Sequence, residues 1–209
     1  MFEIKENIEE YQFDPSPHSP HVKILNLVKP GKRVLDVGCA SGYLAKRLIK
    51  KGCQVFGVEI DKQAAREARK HCQKVINADV ERIDKLPFSD KFFDVIIHSD
   101  ILEHLKRPDL VLIKFKKYLT DDGLVIASIP NIARIEFRLR LALGKFDYQE
   151  SGILKKDHLR FFTLFSAKKM FQEAGFKITK IDYTGLGSRM RIFPTLLAFQ
   201  FIIVAQKKK

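Results

Sequence analysis

Val34-Leu35-Asp36-Val37-Gly38-Cys39-Ala40-Ser41-Gly42-Tyr43 takes a short apolar strand through a turn of small residues and out into a helix. Small residues let the backbone approach a ligand closely, and the first turn of the helix presents free amide donors. The Gly-x-Gly-x-x-Gly spacing that cradles a pyrophosphate is absent. Asp36 stands just before the turn, poorly placed for a pyrophosphate and well placed for a cationic group.

On either side of this stretch the pattern repeats. Apolar, β-branched strands are read at 33–36, 54–59, 74–77, 93–98 and 124–129, the last following the Asp121-Asp122-Gly123 turn. Helices are read at 43–51, with Leu44, Leu48 and Ile49 on one side, at 63–71 and at 109–118. This alternation predicts βαβ units and a parallel sheet covered on both faces. A helix at 163–174 follows, with Thr163 as N-cap and Gly175 just past its end. Strands at 177–183 and 197–206 are joined by a link, 184–195, in which no helix is read, so a hairpin-like return should set one strand antiparallel. Upstream, residues 1–20 carry Pro15, Pro17 and Pro20 and read as an arm, before a helix at 22–28 that ends at Pro30-Gly31. Residues 131–162 are the irregular part. From Arg134 to Leu141 polar and apolar residues alternate as in a strand, while the flanking Ala and Leu favour a basic amphipathic helix, the reading preferred here. This insertion follows the fifth strand and should sit at the mouth of the site. No repeat or linker divides residues 1–209, so a single domain is expected.

The composition suits one globular domain: 209 residues, 45% hydrophobic and 30% charged. The formal net charge of +13 favours an anionic partner without choosing among nucleic acid, an acidic substrate and a membrane surface. Cys39, Cys53 and Cys72 form neither an even set nor a Cys-x-x-Cys pair, so no disulfide framework is expected and a reducing cytoplasm is the natural setting. The acidic start MFEIKENIEEYQF does not read as a signal peptide. The longest apolar stretch, 192–205, contains Pro194 and Gln200 and is too short to span a bilayer, so integral membrane association is not expected.

At the end of the second strand, Val58-Glu59-Ile60-Asp61 puts an acid where it could accept hydrogen bonds from both hydroxyls of a ribose. Asp61 is better read as the cap of the next helix.

In order along the chain, the glycine turn, Glu59, Asn77-Ala78-Asp79-Val80, Leu86-Pro87-Phe88, Phe93-Asp94-Val95-Ile96 and Leu102-Glu103-His104 resemble a class I S-adenosylmethionine-dependent methyltransferase, over about residues 20–206. The resemblance implies a Rossmann-like, doubly wound α/β fold: a seven-stranded sheet, mostly parallel, with its last strand antiparallel. It implies S-adenosylmethionine as cofactor and S-adenosylhomocysteine as product. Asp36 and the backbone of Gly38, Cys39, Ala40 and Gly42 would hold the methionine part, and Glu59 the ribose. Ile60 and Val80 would lie at the adenine, Asp79 would face its amino group, and His98 would lie near the methionine. Ala40 departs from the family's usual glycine, at a cost of about 1 kcal/mol where a positive φ is required. Cys39 is most simply a small buried residue.

Methyl transfer from a sulfonium depends mainly on positioning, but a hydroxyl acceptor also needs a base or a metal to remove its proton. Asp100, Glu103 and His104 stand at i, i+3 and i+4 and would share one face if Asp100 opens a helix. With His158 they are similar to metal-dependent O-methyltransferases of ubiquinone synthesis and of small-RNA 3′ ends. Two readings stand: a divalent metal site, or helix residues packed beside the cofactor. The mixed donor set does not name a metal. Ile129-Pro-Asn-Ile-Ala-Arg134, Gly144-Lys-Phe-Asp-Tyr148 and His158-Leu-Arg-Phe-Phe-Thr163 resemble a bacterial methyltransferase subfamily that often accompanies surface-polysaccharide glycosyltransferases. That implies a small-molecule or glycan-like hydroxyl acceptor, with His158 as base and Tyr148 and Arg160 shaping its pocket. Arg134, Arg138, Arg140, Lys145 and Lys207–Lys209 keep RNA open as an acceptor, although a solvated basic face is the simpler reading. A non-catalytic cofactor-binding partner protein is a further alternative, for which Ala40 is the one indication. Oligomeric state is not legible.

Overall fold

The computed structural model describes residues 13–185 and 193–208. A seven-stranded sheet holds β1 (Arg33–Val37), β2 (Gln54–Glu59), β3 (Lys74–Asn77), β4 (Phe93–Ser99), β5 (Leu119–Pro130), β6 (Phe176–Tyr183) and β7 (Gln200–Lys207) in the order β3-β2-β1-β4-β5-β7-β6. β7 runs antiparallel to both neighbours, and the other pairings are parallel. The expected architecture is therefore observed.

Strand alternation feeds two cores, one on each face of the sheet. Leu35, Val37, Ile96, Phe115 and Phe171 belong to one; Val34, Val55, Val95, Ile97 and Ile202 belong to the other. Helices α1 (Pro20–Leu27), α2 (Ala45–Ile49), α3 (Lys62–Ala68), α4 (Pro108–Lys116) and α6 (Leu164–Glu173) bury side chains, whereas α5 (Ile135–Ala142) and the short α7 (Pro194–Leu197) have no buried residue. Ser19 caps α1, its hydroxyl accepting from the Val22 N–H with Pro20 in the first turn. Thr163 and Ser166 form a reciprocal capping box at α6, and Gly175 (φ 82°) ends the turn beyond it.

Several elements differ from expectation for local reasons. Asp121-Asp122-Gly123 does not precede β5 but lies inside it. Phe93 pairs with Leu119 and Val95 with Leu124, so a bulge absorbs the intervening residues. In the described part of the 184–195 link, Pro194 opens α7, and β7 starts at Gln200 rather than at Leu197. Residues 186–192 of that link, residues 1–12 of the expected arm, and Lys209 lie outside the described residues. Residues 135–142 do form a helix.

α2 begins later than expected because the turn before it is held by positive φ. Gly42 has φ 79°, and a Cβ there would lie 3.0 Å from the Ala68 Cα of α3. Gly42→Ala should therefore destabilise the protein by roughly 1–3 kcal/mol, read as a lowered midpoint in urea. An unchanged midpoint would mean the turn relaxes freely.

Candidate active site

β1 and β4 are neighbours in the sheet although their connections leave in opposite directions, which makes a crevice at their carboxyl ends. A cavity of about 490 Å³ opens there. Gly38, Ala40, Ser41 and Tyr43 form one wall; Glu59 and Ile60 from the end of β2 and Asp79 and Val80 beyond β3 form another; Ser99 ends β4, and Asp100, Ile101 and His104 follow it; His21 and Asp157 also line the cavity.

The turn is tied to β2. The N–H groups of Gly38 and Cys39 donate to the Val58 carbonyl at 2.8 and 3.2 Å. Ala40 takes the left-handed backbone (φ 44°) that favours glycine, and its N–H donates to Glu59 Oε2 at 2.8 Å. Glu59 Oε1 accepts from the Asp61 N–H at 2.9 Å, so both carboxylate oxygens are oriented by backbone. Burial raises the Glu59 pKa, and these N–H bonds act in the opposite direction. Asp61 caps α3 through the Ala64 N–H at 2.6 Å, as expected. The Asn77 side chain donates to the carbonyls of Glu59 and Ile60, both at 2.9 Å, and so holds the ends of β2 and β3 together. Asp79 accepts from the Glu81 N–H at 2.8 Å and pairs with Arg82.

Gly38, Ala40, Glu59, Ile60, Asp79 and Val80 line the cavity among the expected cofactor residues; Asp36, Cys39, Gly42 and His98 do not. Asp36 is buried beneath the turn, and burial, then the Glu59 carboxylate, push its pKa up to about 7. Cys39 is buried, with its sulfur packed over Gly57. A hydrogen bond with Cys72, then burial, hold its thiol well above the usual range, so it is no ready nucleophile. His98, expected near the methionine, stands off the cavity lining: it stacks on Phe115 inside the core, and burial pushes its pKa down to about 3. Alternation along β4 explains this, because Ser99 and not His98 reaches the cavity.

Asp36 yields a pH prediction. The unfolded chain loses this proton near 3.8 and the folded one near 7. Its proton therefore stabilises the fold fully below the lower value, and that contribution is lost as pH rises through the higher one. Without cofactor, Asp36→Asn should melt above wild type at pH 8, and the difference should close toward pH 4. Parallel melting curves across this range would contradict a buried, protonated Asp36.

The second cluster forms differently from the helical face expected for it. Asp100 opens no helix; it sits in left-handed backbone (φ 52°), and a short 3-10 turn begins at Leu102. The Asp100 carboxylate accepts from the Gln200 side chain and lies 3.3 Å from the Ser99 hydroxyl. Glu103, His104 and His158 instead come together, with candidate ligand atoms all within 4.8 Å of one another. Glu103 is buried, its Oε2 has no hydrogen-bond partner, and burial pushes its pKa well up. The Glu103 carbonyl accepts the N–H groups of Leu159 and Arg160 at 2.8 and 2.9 Å, clipping the end of the 131–162 insertion to this turn. His158 Nδ1 lies 2.9 Å from the Ile153 carbonyl, and its ring stands edge-on to His104 at 4.8 Å. His104 Nδ1 lies 3.2 Å from the Asp157 carbonyl. Burial lowers the His104 pKa, which favours a neutral ring.

Of these imidazoles, His104 lines the cavity and His158 does not. Tyr148 and Arg160 also stand off it. Tyr148 packs with Phe146 and Phe161, and the Arg160 guanidinium donates to the Lys106 carbonyl. His21 and Tyr43, whose rings lie 4.8 Å apart at the cavity, were not legible in the sequence, since only the fold brings α1 to the turn. Asp157 did carry a signal, as the residue before His158.

A family model described as a methyltransferase domain matches residues 13–181. A ubiquinone biosynthesis O-methyltransferase from Psychrobacter arcticus is 26% identical over 79% of this chain and 66% of its own length. The chain spans about half to two thirds of the length of the curated relatives it matches. A SAM-dependent methyltransferase from Archaeoglobus fulgidus has the same fold, with a TM-score of 0.67 and 18% identity over 89% of this chain and 90% of that one. Magnesium protoporphyrin IX methyltransferase from Synechocystis, solved with bound SAH, gives a TM-score of 0.64 at 17% identity, over 90% of this chain and 82% of that one.

Proposed function

The chain belongs to the methyltransferase-domain family, and from that premise we propose that it transfers a methyl group from S-adenosylmethionine to a hydroxyl oxygen of a small-molecule or glycan-like acceptor. The observation that carries this reading is one cavity with the Glu59 carboxylate at one wall and His104 at another. The O-methyltransferase relative named above supports oxygen as the acceptor atom.

When bound, S-adenosylmethionine supplies a methyl group on a positively charged sulfur, with a neutral thioether as leaving group. The chain's own part is to hold and aim. Glu59 would accept hydrogen bonds from the ribose hydroxyls while keeping those from Ala40 and Asp61. Ile60 and Val80 would serve the adenine and Asp79 its amino group, and the backbone of residues 38–42, with Asp36 beneath it, would hold the methionine end. Transfer would form the acceptor oxygen–methyl bond as the carbon–sulfur bond breaks toward sulfur, and His104 Nε2 would take the hydroxyl proton. That nitrogen is available because Nδ1 faces the Asp157 carbonyl. His158, edge-on to His104, is a positioning residue.

A divalent cation is a second reading, favoured by the orphaned, buried Glu103 Oε2 beside His104 and His158. These three residues fit such an ion and would hold it. Bound there, it would ease loss of the acceptor proton without a base.

The test is methyl incorporation from radiolabelled S-adenosylmethionine into a panel of phenols, glycosides and RNA, with and without chelator. Labelled acceptor supports transfer to oxygen, and its loss on chelation favours the metal reading. Incorporation into RNA alone would replace the acceptor class.

A further inference from the structure

β6 ends the sheet and pairs with β7 alone, so its outer main-chain groups face no other strand among the described residues. A groove of about 690 Å³ runs along this edge, between Lys168 and Gln172 of α6 and residues 176–181 of the strand, with Lys208 at one end. It shares no residue with the cavity described above. The register sorts its side chains. Ile178 stands opposite Ala205 and Ile181 opposite Ile203, in the core on which α6 packs, whereas Lys180 stands opposite Val204 of the other core. Opposed residues share a face, so the two isoleucines lie on one side of the sheet and Lys180 on the other. Lys177, one residue before Ile178, lies on the side of Lys180. The ladder slips between Ile178 and Lys180, and this bulge is what keeps each pair on one side at a spacing of three; the Thr179 hydroxyl donates to the Val204 carbonyl there at 3.2 Å. Lys168, Lys177, Lys180 and Lys208 are exposed, no acid lines the groove, and none of these lysines forms an ion pair among the described residues.

We propose that this edge receives an extended segment of a partner protein, added to the sheet as a further strand in which acidic and apolar residues alternate. Main-chain hydrogen bonds to β6 would supply affinity, and the side chains specificity. Every second side chain of the added strand would meet Lys177 and Lys180, and the others would meet Ile178 and Ile181. The charge decides between occupants. Lysines and a bulge on an edge strand ordinarily keep like edges apart. A second copy of β6 would set lysine against lysine, in a chain already at +13. The same lysines attract an acidic strand. A single-stranded nucleic acid would find no exposed ring on which to stack its bases, because Phe176, the one aromatic residue of the groove, is buried. It would also leave Ile178 and Ile181 without an apolar partner.

The test is fluorescence anisotropy of the whole chain with labelled probes: a short peptide alternating glutamate and valine, one alternating glutamate and proline, and an oligouridylate of the same length. Wild type should bind the glutamate–valine peptide at least about tenfold more tightly than the glutamate–proline peptide, which carries the same charge but lacks every second N–H. Lys177→Glu with Lys180→Glu should lose about tenfold or more of the glutamate–valine binding. Its melting midpoint should be unchanged, since both side chains are already exposed. Equal affinity of wild type for the two acidic peptides would overturn strand addition. Equal binding by variant and wild type, absence of glutamate–valine binding, or tighter binding of the oligouridylate would overturn the acidic partner. This binding needs no cofactor, so failure of the methyl-transfer reading and failure of this proposal are separate results.

Discussion

Glu59→Ala is expected to weaken S-adenosylhomocysteine binding by about a hundredfold or more, equivalent to roughly 2.7 kcal/mol. The loss combines two effects. A carboxylate that accepts two ribose hydroxyls makes two charge-assisted hydrogen bonds, each worth about 1.5–3 kcal/mol. Its removal also strips the Ala40 and Asp61 N–H groups of their acceptor, and Ala40 already occupies a left-handed conformation that alanine adopts at a cost. Glu59→Gln separates these effects, because the amide keeps one acceptor oxygen and should bind at an intermediate affinity. Calorimetry checks both variants, with melting to confirm folding. A folded Glu59→Ala that binds like wild type would remove the ribose from this position.

His104→Ala is expected to lower turnover on a true acceptor by roughly 10²–10⁴-fold, the range for losing a positioned proton acceptor, and to leave S-adenosylhomocysteine affinity within about threefold. His158→Ala should act in the same direction but less, because its ring supports His104 from behind. Single-turnover rates with saturating cofactor make the comparison. Full activity in His104→Ala would end its role in deprotonation. Glu103→Gln separates the two readings of this cluster. If a cation is held there, exchanging the carboxylate for an amide should abolish the response to added metal. If none is held, the variant should turn over like wild type, since burial already favours the neutral form of Glu103.

The fold was legible because its decisive signals are local. The strand from Arg33, the glycine turn and the run of alternating elements read off in order, and Thr163 with Gly175 marked both ends of α6. Where the reading slipped, a nonlocal partner intervened. Asp121-Asp122-Gly123 looks like a turn until β4 pairs on both sides of it. Asp100 fits a helical triplet with Glu103 and His104 until its backbone turns left-handed and Gln200 of β7 takes its carboxylate. His98 and Ser99 are adjacent in sequence, yet the pleat sends one into the core and the other to the cavity. The part of the cavity lining that comes from strand ends, Gly38, Ala40, Glu59, Ile60, Asp79 and Val80, was therefore readable. The cluster at Glu103 depends on how the 131–162 insertion folds back on it, which no spacing encodes.

The most direct measurement is a calorimetric titration of S-adenosylhomocysteine into the wild-type protein in chelator-treated buffer. One site with micromolar affinity is the expected result, and it would place the cofactor in this chain with no added metal. No heat of binding at millimolar ligand would contradict a functional cofactor site.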